Sequence, residues 1–125
     1  MRMPIRVLVV DDEPEQRASV CDLLAGDDRF EIAGEAADGG EAIIRASEVR
    51  PDVVLIDLML PGMNGLRAIS EIRERVPETK VVVLSGLVGP ERIFEEATRR
   101  GASACIEKPL MFGRLPETLL DIAAG

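Results

Sequence analysis

Five polar side chains in this sequence are of the types that hold a divalent cation and handle a phosphoryl group. They are Asp11, Asp12, Asp57, Ser85 and Lys108, and short apolar runs lead into them. Ile5 to Val10 runs into Asp11 and Asp12, and Val53 to Ile56 into Asp57. Val81 to Leu84 ends in Ser85, and a run around Ala104 to Ile106 ends in Glu107-Lys108-Pro109. If these runs are parallel strands, all five side chains meet at one edge of one sheet. Aspartates are hard oxygen donors of the kind magnesium prefers, and magnesium keeps several waters while taking only one or two direct carboxylates. An acidic edge with an open mouth fits that habit better than a closed calcium cage.

Asp57 follows four apolar residues, which predicts a partly desolvated carboxylate at the rim. A carboxylate nucleophile can form an acyl phosphate. Lys108 can then pair with one phosphoryl oxygen and the Ser85 hydroxyl can donate to another, while a metal serves the remaining one. Each residue also has a plainer role. Asp11 or Asp12 could cap a helix before Pro14, Lys108 could be a surface lysine, and Ser85 a strand-end hydroxyl. Capping needs one acid, however, and two adjacent acids repel unless a cation lies between them. In the loop after Asp57, Pro61-Gly62 signals a turn, Asn64 can cap the next helix, and Gly65 supplies backbone freedom before Leu66. These residues read as scaffolding that fixes the Met59 backbone carbonyl near the metal.

The elements that must position these groups follow from periodicity. Apolar runs begin near Ile5, Phe30, Val53, Val81 and Ser103, at the spacing of a strand–helix unit. The first, third and fourth are continuous, as expected for parallel strands covered on both faces. Phe30 to Glu35 is mixed in polarity and predicts a strand near an edge. Between the runs, Val20, Leu23 and Leu24 mark one helix face. Leu66, Ile69, Ile72 and Val76 mark another, Ile93, Phe94 and Ala97 a third, and Leu115, Leu119 and Ile122 a fourth. Pro14 and Pro90 suit first turns of helices, Gly101 can end a helix, and Pro77 stops one. Alternating strands and helices imply right-handed crossovers and an open, doubly wound α/β sheet. Ligands of such sheets sit outside the carboxyl ends of the strands, where the five polar signals lie.

Composition narrows the possibilities further. A chain of 125 residues, 46% hydrophobic and 30% charged, fits one globular domain over residues 1–125, with no linker or low-complexity tract dividing it. Its net charge of −8 disfavours direct nucleic-acid binding, which needs a concentrated positive patch. No apolar stretch approaches the roughly 20 residues that span a bilayer, and no cleavable leader is evident. A cytoplasmic location is the expectation. Cys21 and Cys105 lack metal or redox spacing and are expected to be free, buried thiols. Histidine is absent, which removes every histidine-based nucleophile, base or metal site within this sequence.

In the order and spacing of these motifs the chain resembles the receiver domain of two-component response regulators. The resemblance rests on Val7-Leu8-Val9-Val10-Asp11-Asp12-Glu13, Asp57-Leu58-Met59-Leu60-Pro61-Gly62-Met63-Asn64-Gly65, Val83-Leu84-Ser85-Gly86 and Lys108-Pro109. It implies a flavodoxin-like (βα)5 fold with strand order 2-1-3-4-5. It further implies that Asp57 accepts a phosphoryl group from a histidine of a partner kinase or phosphotransfer protein. Asp12 would bind magnesium (Mg2+) directly, Asp11 mostly through water, and the Met59 carbonyl would complete the shell with Asp57. Ser85 would move toward the phosphate, Lys108 would pair with it, and the Lys108–Pro109 bond would be cis. The fourth helix, fifth strand and fifth helix would face an output domain or a second copy of the chain. Ile32 to Gly39 is similar to regulators joined to helix-turn-helix output domains.

One position departs from the family. A Tyr or Phe usually stands three residues before the lysine, where this chain has Cys105. A cysteine cannot fill or vacate an aromatic pocket, and Phe94 and Phe112 read as packing residues rather than substitutes. Any switch is therefore expected to run through backbone movement of Ser85-Gly86-Leu87. Other function classes fit less well. A magnesium phosphohydrolase would carry Asp-x-Asp after its first strand, and a flavin carrier would present hydroxyls and backbone N–H groups there rather than acids. A binding-only pseudo-receiver would be expected to lack one of the acids or the lysine.

Overall fold

The computed structural model describes residues 3–58, 65–86, 91–108 and 111–124. Strands and helices alternate: β1 (Ile5–Val10), α1 (Pro14–Ala25), β2 (Phe30–Ala36), α2 (Gly39–Val49), β3 (Val53–Asp57), α3 (Gly65–Arg75), β4 (Lys80–Ser85), α4 (Glu91–Arg99), β5 (Ala104–Glu107) and α5 (Met111–Ala124). The strands form one sheet in the order β2-β1-β3-β4-β5, with every pairing parallel. This is the flavodoxin-like arrangement, and the order reverses between β1 and β3. No helix among the described residues is long and apolar enough to cross a membrane.

The continuous apolar runs divide by parity, because successive strand side chains point to opposite faces. Leu8, Val10, Val54, Ile56, Val81 and Val83 join Ala42, Ile43, Ala68, Ile69, Ile72 and Ala97 in one core layer, beneath α2, α3 and α4. Val7, Val9, Val53, Leu55, Val82 and Leu84 join Val20, Leu24, Leu115 and Leu119 in the other, beneath α1 and α5. A strand buried on both faces needs no polar alternation, which is why Val7–Val10 of β1, Val53–Ile56 of β3 and Val81–Leu84 of β4 read as unbroken hydrophobic runs.

β2 lies at an edge, as its mixed polarity suggested. Its pairing with β1 jumps a residue, from Val7–Ile32 to Leu8–Gly34, so Ala33 forms a bulge. A Cβ at Gly34 would come 3.4 Å from Leu8 Cδ1, ordinary packing contact.

Helix ends follow local chemistry. Pro14 opens α1 after Glu13, whose side chain makes no cap hydrogen bond. Asp38 caps α2 by accepting from Glu41 N at 2.8 Å, and the Glu41 carboxylate accepts from Ala37 N at 3.3 Å. Pro77 lies just beyond α3. α4 closes through Gly101, with φ at +115°. There Ala102 N donates to Ala97 O and Gly101 N to Thr98 O, both at 3.0 Å, the paired bonds of a glycine-terminated helix. Pro61, Gly62, Asn64, Leu87, Pro90 and Pro109 lie outside the described residues, and with them the expected turn, the two helix-start assignments, the cis bond and part of the switching loop.

Candidate functional site

Parallel pairing brings the carboxyl ends of β1, β3, β4 and β5 to one edge, and with them Asp11, Asp12, Asp57, Ser85 and Lys108. Asp57 closes β3, the middle strand, after four buried residues. It is itself only 2% exposed, as is Asp11, whereas Asp12 is exposed. One carboxylate oxygen from each of Asp11, Asp12 and Asp57 lies within 4.8 Å of the others. Ser85, at the end of β4, is fully buried. Met59, the fourth expected metal donor, lies outside the described residues.

Lys108 follows β5 and reaches back over the sheet edge, placing Nζ 2.6 Å from Asp57 Oδ2. Its stem passes Gly86, where an added Cβ would lie 3.4 Å from Lys108 Cδ. Burial pulls the ammonium's pKa down, but the Asp57 hydrogen bond and the charges of Asp57, Asp11 and Glu13 outweigh it. The net direction is up, so Lys108 is held firmly as a cation. A charge-assisted bond in such a partly desolvated site is screened less by water and salt than an exposed ion pair.

Asp11 is the strained member of the cluster. Its Oδ1 accepts from Glu13 N at 2.9 Å, while Oδ2 is buried with no hydrogen-bond partner among the described residues. Burial raises the Asp11 pKa, the Glu13 N–H opposes this, and the charge of Asp57 adds to it; the net direction is up. An orphaned buried carboxylate oxygen beside two further carboxylates is costly unless a cation accepts it. These oxygen donors, three acids in an open rim, fit a magnesium ion. Asp11 does not act as the N-cap of α1; Glu13 holds that position.

Two contacts were not foreseen from the sequence. Gly65 was expected to serve through backbone freedom. Instead it lies against the end of β3, where a Cβ would fall 2.7 Å from Leu58 Cα and 3.2 Å from Asp57 O. Its missing side chain lets α3 start directly over the Asp57–Leu58 backbone. The second contact is Arg17, whose Nη1 donates to the Asp11 carbonyl at 2.8 Å. A six-residue separation within a helix start carries no local signature, so only the fold reveals it.

Cys105 lies on β5 and packs with Phe94 and Ile93 against the core layer under α4. Its Sγ is 3.9 Å from Phe94 O. With Phe94, Glu95, Thr98 and Arg99 it lines a shallow groove between β5 and α4. Both cysteines are free, but each is half-buried rather than buried as the sequence suggested. Burial, with the Glu35 carboxylate beside it, pushes the Cys21 thiol up to about 11. Burial also raises Cys105.

The profile of the response regulator receiver domain matches residues 7–120. The chain is 39% identical over 120 residues to the chemotaxis protein CheY of Thermotoga maritima, covering 94% of this chain and 97% of that one. Among solved structures, the response regulator domain of Thermotoga maritima CheB superposes with a TM-score of 0.85 at 36% identity, covering 96% of this chain and 94% of that one. A chain of the CheX–CheY–BeF3–Mg2+ complex from Borrelia burgdorferi superposes with a TM-score of 0.89 at 29% identity, covering 96% and 90%. Fold, strand order, the acidic edge with its lysine, and these matches over nearly the whole length agree: the chain belongs to the response regulator receiver domains of two-component signalling.

Proposed function

We propose that residues 1–125 act as one phosphoacceptor unit, taking a phosphoryl group from a histidine of a partner kinase or phosphotransfer protein onto Asp57. The observation that carries this reading is the pairing of a buried Asp57 with Lys108 at 2.6 Å inside a cluster of three carboxylates. In the transfer, an Asp57 carboxylate oxygen bonds to phosphorus as the donor's P–N bond breaks, and the electron pair returns to the imidazole nitrogen. Lys108, kept cationic, neutralises charge on the transferred group, and the Ser85 hydroxyl donates to another of its oxygens. Asp11, Asp12, Asp57 and the Met59 carbonyl would hold the magnesium. When bound, magnesium would supply positive charge beside that of Lys108, stabilising the crowded oxygens. Burial of Asp57 limits water around the acyl phosphate.

The relative complexed with BeF3 and Mg2+ supports the same chemistry, since that fluoride resembles a phosphoryl group in shape and charge. The unit works as a signalling switch in the cytoplasm, turning over no substrate but its own phosphate. Its output surface is α4, β5 and α5, turned toward an output domain or a second copy. With Cys105 on this surface, the response travels through the backbone after Ser85.

Incubation with acetyl phosphate and magnesium tests the proposal by intact mass and phosphate-affinity electrophoresis. The parent gains one labile phosphoryl group; Asp57→Asn gains none, and chelator abolishes the gain. An adduct that persists in Asp57→Asn, or a parent that never takes the label, sinks it. Steady turnover of phosphomonoesters would favour a phosphohydrolase instead.

A further inference from the structure

The contact between Arg17 and the Asp11 backbone gives the acidic edge a support that lies outside the five expected residues. Arg17 sits in α1, one turn past its start. Its Nη1 donates to Asp11 O at 2.8 Å, and its Nε donates to Glu35 Oε1 at 3.1 Å. The Asp11 N–H is held too, donating to Ala36 O at 3.0 Å. Both ends of the residue are thus tied to β2, directly through Ala36 and indirectly through Glu35 and Arg17. With Oδ1 on Glu13 N, Oδ2 is the atom left for a ligand.

The carbonyl that Arg17 grips belongs to the peptide joining Asp11 to Asp12. Turning that peptide would re-aim both carboxylates. Repulsion among three crowded carboxylates favours such a turn whenever no cation is present. We infer that Arg17, oriented by Glu35, is a positioning residue that locks the Asp11–Asp12 peptide and so pre-organises the magnesium site. This rests on the receiver reading above. A planar guanidinium suits the task, since its fork can satisfy a carbonyl and a carboxylate together. Partners that orient metal ligands commonly affect affinity by a factor of ten or more.

Charge alone predicts the opposite sign. Removing a cation near a magnesium site should tighten binding, whereas removing a clamp should weaken it. The test is magnesium titration by calorimetry on the parent and Arg17→Met, with melting curves of the magnesium-free proteins. Arg17→Met is expected to bind magnesium about tenfold more weakly. A merely structural role would lower the magnesium-free midpoint and leave the affinity unchanged. Unchanged or tighter binding overturns the inference. Should Arg17→Met not fold, Arg17→Lys decides: it keeps the charge but loses the fork, so about threefold weaker binding is expected, and parental affinity overturns the inference. A parent that takes no magnesium would instead remove the receiver reading itself.

Discussion

The two ends of the sheet solve the problem of buried polar groups in opposite ways. At the amino-terminal edge of β3 and β4, every polar group named has its partner. Thr79 is fully buried, yet its hydroxyl donates to Pro51 O at 2.7 Å and its N–H to Val76 O at 3.0 Å. Arg73 donates to the carbonyls of Pro77 and Thr79. Asp52 accepts from Arg6 N at 2.8 Å, and the Arg6 guanidinium reaches Val49 O and Arg50 O. At the carboxyl edge, three acids crowd together, one buried oxygen has no partner among the described residues, and one lysine faces them. A closed network stabilises the fold, and an unbalanced one is the arrangement that the proposed cation and phosphoryl group would complete. The difference teaches that strain here is concentrated where chemistry is wanted.

The comparison can be broken at either end, and the largest effect is expected at Gly65. Gly65→Ala pushes a methyl into the Leu58 backbone, which cannot retreat as a flexible side chain would. Overpacking of this kind costs about 2–3 kcal/mol. Because the displaced backbone also carries Asp57, chemical denaturation should show the loss and acetyl phosphate labelling should slow with it. Thr79→Val comes next. It leaves the Pro51 carbonyl without its donor in a dry setting, at a cost of about 1–2 kcal/mol. Labelling and magnesium affinity should stay at parental values, since the lesion lies at the far edge; a loss of either would show that the two ends are not separable.

Asp11→Asn should have the smallest effect on stability and the opposite sign. The fold raises the Asp11 pKa, so the native state favours the protonated form and stability falls as pH rises through its titration. Removing the charge should therefore raise the magnesium-free melting midpoint by a few degrees at neutral pH. The gain should shrink in acid, where Asp11 is already protonated. Magnesium should stabilise the parent and leave Asp11→Asn nearly unmoved. A variant that melts lower than the parent at neutral pH would contradict the account of Asp11 as a strained group.

Much of this was legible in the chain itself because burial on both faces leaves a plain mark. The buried stretches Val7–Val10, Val53–Ile56 and Val81–Leu84 are continuous apolar runs, and Asp11, Asp57 and Ser85 follow them directly. Pro14, Pro77 and Gly101 marked helix ends through backbone chemistry that needs no tertiary partner. What could not be read depends on contacts between distant residues. The insertion at Ala33 appears only when β2 is laid against β1. The unequal burial of Asp11 and Asp12, neighbours of identical chemistry, depends on what packs beside each. Gly65 was expected for backbone freedom, but the reason for a glycine there lies in the closeness of Leu58. Arg17 looked like any charged residue on a helix.

The bulge at Ala33 has a consequence for how the protein behaves among its own kind. A sheet with two straight, open margins invites further strands from neighbouring molecules, the route to fibres and tangled aggregates. Here one margin is kinked and twisted by an extra residue, and the other, β5, is only four residues long. Neither offers a long, even row of donors and acceptors for a stranger to copy. Such a molecule can be concentrated with little tendency for its sheets to join edge to edge.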